Sequence, residues 1–187
     1  MAIKIYVDQG HNPVNPNAGA EANGLREQNL VFRIGLALAE LLEQNGSFEV
    51  RLSRPTPATQ LGNSNASSLA ARVRDANGWG ADYFISLHTN ASTSPNAGGT
   101  EAYVFSIPSR AAELAEDIVD GVSEETGLRD RGILTRSGLY VLRKTKMPAV
   151  LVELGFISNP EEAALMRDRP DLFARGIYDG ILEFTGV

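Results

Sequence analysis

Cysteine is absent from this chain of 187 residues. That removes disulfides, thiolate nucleophiles and cysteine-ligated zinc together, and it leaves open whether the chain meets a reducing or an oxidising medium. Histidine is nearly absent, with only two residues, so any imidazole chemistry rests on His11 and His88. No run of about 18 apolar residues occurs, which excludes a membrane-spanning helix by composition. Cationic excess is also lacking. Seventeen Lys and Arg face 23 Asp and Glu, giving a net charge of −6 and a pI near 5.0. A broad nucleic-acid footprint needs clustered cations and is therefore not expected. The chain runs directly into "AIKIYVD" without a basic and apolar leader. Work outside the cell would then require a leader already removed or another route of release.

What is present is ordinary globular composition, 43% hydrophobic and 21% charged, enough for one domain with a core over residues 1–187. Residues 3–8 read as a buried strand. Residues 12–25 are rich in Asn, Pro, Gly and Ala and read as a loop. From Arg26 to Asn45, Leu30, Val31, Ile34, Leu38, Leu41 and Leu42 recur at helical spacing, and Gly46 fits the stop. "FEVRLSR" is a short strand, "PTPATQLGNSNASS" a second loop, and "SLAARVRDANGWG" a helix capped by Ser67 or Ser68. "DYFISLHTN" and "GGTEAYVFS" are strands, residues 109–126 a helix, and "GLYVLRKT" and "PAVLVELGF" two more strands. Two helices, after Pro160 and Pro170, close the chain. Strands alternating with helices predict an α/β fold: a single three-layer domain with a twisted, mostly parallel or mixed sheet of about six strands and helices on both faces.

Polar residues fall at informative places on these elements. His11 lies just past the first strand, His88 at the end of "YFISLH", and Glu153 near the end of "AVLVE". Open α/β sheets bind ligands at the carboxyl ends of their strands. Glu27 lies three residues before Leu30 and seven before Ile34, on the core-facing stripe of its helix. A carboxylate there needs a partner, and a cation would supply one. His, Glu and His form a ligand set that zinc accepts, and three N/O ligands leave a position open for water. Glu153 would then move that water's proton. Blander readings stand beside this one. His88 can be a hydrogen-bonded strand-end residue, Glu27 can serve the helix dipole, and Glu153 can pair with Arg72, which points inward beside Leu69, Val73 and Ala76.

"VDQGHN", "GLREQNL", "SLHTNAS" and the stretch from Gly132 through "VLVELGFISNPEE" resemble, in order and spacing, the zinc-dependent N-acetylmuramoyl-L-alanine amidases of the amidase-3 type. The similarity runs over essentially the whole chain. It implies one zinc per chain on His11, Glu27 and His88, with Glu153 as catalytic acid/base. It implies hydrolysis of the amide between the lactyl group of N-acetylmuramic acid and L-alanine of the peptidoglycan stem, at the bacterial wall, in an autolysin or endolysin setting. A separate wall-anchoring domain or a delivery partner would fit that role. Two departures stand out. The family commonly reads Asp-Pro-Gly-His-Gly where this chain has Asp8-Gln9-Gly10-His11-Asn12, so Gln9 loses the rigidity of proline and Asn12 is expected to add a side chain near the metal. Some members insert a helix that plugs the zinc site, and none is evident between Thr100 and Arg131. Arg72 is a candidate for holding Glu153 or a substrate carboxylate, against bracing the fold, and Asn90 for orienting a ligand, against capping a turn. Glu101 and Arg131 stand in family-like contexts without an assigned role. A zinc peptidase, or a wall-binding module that has lost its metal, are the competing classes.

Overall fold

The computed structural model describes residues 2–187. Its elements are β1 (Ile3–Gln9), β2 (Glu21–Ala22), β3 (Leu25–Arg26), α1 (Glu27–Asn45), β4 (Phe48–Leu52), α2 (Asn65–Trp79), β5 (Tyr83–Asn90), β6 (Thr100–Val104), α3 (Arg110–Thr126), β7 (Asp130–Thr135), α4 (Tyr140–Lys144), β8 (Ala149–Phe156), α5 (Pro160–Asp168) and α6 (Pro170–Thr185). Six strands form one sheet in the order β4-β1-β5-β8-β6-β7. The first four run parallel, β6 is antiparallel to β8, and β7 follows β6 in parallel. This is the mixed, mostly parallel α/β sheet with helices on both faces that the alternation of elements predicts.

Strand pleating divides the core in two. Val7, Ile85, Leu87, Val150 and Val152 point to one face, where Ile34 and Leu38 of α1, Ile118 and Val122 of α3, and Phe173 and Ile177 of α6 cover them. Tyr6, Phe84 and Leu151 point to the other, under Val73 and Ala76 of α2 and Val141 and Leu142 of α4. On the first face α3 and α6 meet backbone to backbone. A Cβ added at Gly121 would lie 2.3 Å from the Gly176 carbonyl oxygen, so these positions accept no side chain.

Four local features differ from the sequence reading. The N-cap of α2 is Ser64, whose side chain accepts from the Ser67 amide, and not Ser67 or Ser68. "GLYVLRKT" is not a strand; it contains the short helix α4. Val141 and Leu142 are both buried in the same core cluster, which a strand would forbid because neighbouring side chains point to opposite faces. Residues 130–135 form β7, an edge strand whose mixed exposure and interior Gly132 (φ 81°) hide it from a hydrophobicity pattern. The loop at 12–25 contains a small hairpin, β2–β3, turned by Asn23 (φ 51°) and Gly24 (φ 72°), the Asn-Gly chemistry of a two-residue turn.

Candidate metal centre and active site

On the α2/α4 face, each central strand turns polar toward the site. Tyr6 is followed by Asp8, Phe84 by Ser86 and His88, Leu151 by Glu153. Register brings the polar ends together: Asp8 lies beside Ser86 and His88 beside Glu153.

His11 hangs from β1 by a tight turn. The Gly10 amide donates to the Leu87 carbonyl at 3.0 Å. A Cβ on residue 10 would lie 2.6 Å from both the His88 ring and that carbonyl oxygen, so only glycine lets the two strand ends approach. His11 itself adopts φ 66°, a left-handed conformation unusual outside glycine. Arg72, buried on α2, holds this turn. Its guanidinium donates to the Asp8 carboxylate and the His11 carbonyl, to the Gln9 carbonyl at 2.8 Å and to Ser53 Oγ at 3.2 Å. Arg72 is therefore directed at Asp8 and not at Glu153, and both its guanidinium and its partner are sealed from water. Burial opposes the charge on Asp8, but Arg72 and the Ser86 hydroxyl outweigh it and hold the carboxyl below its ordinary range.

Glu27 begins α1, where the β2–β3 hairpin delivers it into the same space. It is buried, as its place on the apolar stripe requires. Oε2 accepts from the Ala20 amide at 2.9 Å and Oε1 from the Thr89 amide at 2.9 Å. Burial pushes its pKa up; hydrogen bonding and charge from His11 and His88 more than reverse this and hold it well below the usual carboxylate range.

Three atoms now form a triangle. His11 Nε2 lies 3.1 Å from Glu27 Oε1 and 3.1 Å from His88 Nδ1, and His88 Nδ1 lies 3.2 Å from Glu27 Oε1. Tetrahedral zinc with bonds of about 2.0–2.1 Å needs ligand–ligand edges of roughly 3.3 Å. Among the described residues this trio is the cluster able to hold a metal ion, and two nitrogens with one carboxylate oxygen suit zinc without sulfur.

Glu153 stands beside this triangle on β8. Its Oε2 is buried with no hydrogen-bond partner. Burial pushes its pKa up to about 7; Glu27 and Glu101 add to the rise, and His88 opposes it. Glu101 on β6 lies directly opposite Glu153. Its carboxylate is fully engaged: it accepts from the Tyr103 hydroxyl at 2.6 Å, Asn90 Nδ2 at 3.0 Å and Arg131 Nε at 2.7 Å. Asn90 thus joins this network while its Oδ1 accepts from the Ala91 amide at 2.9 Å, the turn cap its position suggests.

Two contributors carry no local signal in the sequence. Asp8 precedes the glycine turn but its partner Arg72 is 64 residues away. Tyr103 is visible only through the β6–β8 register. Asn12, expected near a metal, is turned instead to the loops: it bonds the Pro16 carbonyl at 2.8 Å and the Leu61 carbonyl and amide at 2.9 and 3.1 Å, tying two loops that frame the site. Gln9, where the family commonly has proline, accepts from the Arg54 amide at 2.9 Å. Beside His11 and His88 a cavity of about 180 Å³ opens between α2, α4 and the sheet, walled by Leu69, Leu139, Val141 and Leu151.

Residues 5–183 match the family described as N-acetylmuramoyl-L-alanine amidase. The chain belongs to that family. Against the amidase CwlM of Bacillus licheniformis it is 36% identical over 185 residues, covering 96% of this chain and 67% of CwlM. Against the amidase LytC of Bacillus subtilis it is 34% identical over 184 residues, covering 96% of this chain but 35% of LytC. The chain thus spans about two thirds of one relative and about one third of the other. The solved catalytic domain of CwlV, an amidase from Bacillus (Paenibacillus) polymyxa, superposes with a TM-score of 0.86 at 34% identity, over 99% of both chains. The amidase family consists of hydrolases, and the polar strand ends of this chain occupy the matched region. No helix among the described residues is long and apolar enough to cross a membrane.

Proposed function

We propose that this amidase-family chain hydrolyses the amide between the muramoyl lactyl group and L-alanine of peptidoglycan, using one zinc on His11, Glu27 and His88 and Glu153 as the acid/base. The observation that carries the reading is the triangle of ligand atoms with edges of 3.1, 3.1 and 3.2 Å. It lies beside a buried carboxylate whose second oxygen has no partner. A metal-free wall-binding module gives no reason to converge two imidazoles and a buried glutamate.

A zinc ion held there supplies a Lewis acid that lowers the pKa of water to roughly 7 and polarises an amide carbonyl. Glu153 takes the proton of the attacking water and then hands it to the departing alanine nitrogen. One carboxylate serves both transfers because they are sequential, and a pKa of about 7 suits a group that must accept and then release a proton near neutrality. Glu101, held by three donors, stays a fixed negative charge opposite Glu153 and raises its proton affinity. Arg72 and Gly10 keep His11 in its left-handed turn, and the Thr89 and Ala20 amides hold both oxygens of Glu27. The site of action is the bacterial wall, a role that a separate wall-anchoring module or a delivery partner would fit.

Digestion of purified peptidoglycan tests this. The expected products are new L-alanine amino termini without new reducing sugars. Amino termini further along the stem would instead indicate a peptidase, and reducing ends a glycosidase.

A further inference from the structure

The chain is acidic overall, yet its cations are unevenly placed. Six of its 17 Lys and Arg fall between Arg129 and Lys146, a stretch with one of the 23 acids, Asp130. Part of this stretch is the exposed edge strand β7 and the turn after it, on the far side of Glu153 from the histidines. Across the sheet the order is β1, β5, β8, β6, β7, so the sequence of groups is His11, His88, Glu153, Glu101 and Arg131.

Arg131 and Arg136 differ in what they have left to give. Arg131 is neutralised by Glu101 at 2.7 Å and also donates to the Gly98 carbonyl at 3.2 Å. Arg136 makes no ion pair among the described residues. Its guanidinium lies 4.9 Å from the centre of the Tyr103 ring, and the Tyr103 hydroxyl reaches Glu101. The ring contact steadies the guanidinium, while its forked N–H donors remain available to a carboxylate.

The direction of the substrate follows from the acid/base role of Glu153, so this inference rests on the proposed amidase reaction. The nitrogen that Glu153 protonates must face Glu153. The departing peptide then extends over β6 and β7, and the acyl half lies toward β1 and the apolar cavity walled by Leu69, Leu139 and Val141. We propose that Arg136, backed by Tyr103 and the Glu101–Arg131 pair, forms a subsite for a free carboxylate of the stem peptide on the amine side of the scissile bond. It is a specificity residue: it selects peptides that carry this charge over those whose carboxylate is amidated.

The test compares two soluble muramoyl-L-alanyl peptides, one with the peptide carboxylate free and one with it amidated. The unaltered chain should favour the free acid by about fivefold in kcat/KM, the scale of one partly exposed ion pair, with the difference mainly in KM and shrinking as salt is raised. Arg136→Gln should bring the ratio of the two substrates toward one. Arg175→Gln, on α6, should leave the ratio as it was. Equal use of both substrates by the unaltered chain, or a preference that survives Arg136→Gln, overturns the proposal while leaving the amidase reading intact. Cleavage of neither substrate overturns the amidase reading itself, and this inference with it.

Discussion

Glu101 and Glu153 face each other across the β6–β8 pair, two carboxylates held in direct register with different surroundings. Glu101 accepts three hydrogen bonds, and although burial opposes its charge, Tyr103 and Arg131 keep its pKa below the ordinary value. Glu153 has a buried oxygen with no partner and a pKa pushed up by burial to about 7. One carboxylate is fixed in charge, the other free to exchange a proton. That division of labour underlies the first two predictions.

Glu153→Gln should retain zinc and lose activity. The amide keeps the volume of the side chain but cannot shuttle the proton, so the rate should fall on the order of 10²-fold or more. His11→Ala should lose the metal as well, because it deletes one corner of the triangle. Elemental analysis of both purified variants alongside turnover separates the roles. Zinc lost from Glu153→Gln would make that residue a ligand.

Glu101→Gln should move the acid limb of the pH–rate profile to lower pH. Glu153 acts first as a base, so the rate falls as pH drops through its pKa. The negative charge of Glu101 raises that pKa. Removing it, and leaving Arg131 without its counter-charge, stabilises the Glu153 carboxylate on both counts. Measurement of kcat/KM from pH 5 to pH 9 checks the sign; a shift upward would contradict the electrostatic role assigned to Glu101.

Stability should depend on the buried Asp8–Arg72 pair. Asp8→Asn leaves a sealed guanidinium without its counter-charge, a change that costs about 3–5 kcal/mol in comparable buried pairs. Since the folded pKa of Asp8 lies below the unfolded value of about 3.9, its contribution is complete above that value. It disappears as pH falls through the folded pKa. Urea unfolding at pH 7 and near pH 3 should show a large gap between the unaltered chain and Asp8→Asn at pH 7, and a smaller one in acid.

The proposed metal ligands and Glu153 stand out in the sequence because each obeys a local rule. His11, His88 and Glu153 end or nearly end apolar strands, and Glu27 interrupts an apolar helical stripe. Arg72 was legible as inward-facing from its helical spacing, but its partner was not, because Asp8 meets it only once α2 is laid over β1. The helix α4 was misread since Tyr140, Val141 and Leu142 favour strands by composition. Packing of Val141 and Leu142 against Val73 and Ala76 of α2 overrides that preference. Strand β7 carried too little apolar surface to be seen, and the cationic edge it forms beside Glu153 needed the sheet order to emerge.

The last prediction concerns control of the site. In α3, Leu114, Ile118 and Val122 are buried, and they pack on the α1/α6 face of the sheet, opposite the face on which His88 and Glu153 project. Its acidic residues Glu113, Glu116 and Asp120 face solvent. To swing one of these carboxylates onto the metal, α3 would have to leave that face and expose three core side chains, at about 1.5–3 kcal/mol each. It would also have to break the close contact of Gly121 with Gly176 and Gly180. A plug built from this segment is therefore disfavoured, and the domain should be active without any unmasking step. Turnover of a soluble muramoyl-peptide should not rise after limited proteolysis within residues 102–130. It should instead fall as the α3–α6 layer loosens, a loss that circular dichroism would register in the same samples. Strong activation on clipping would mean that α3 masks the site after all.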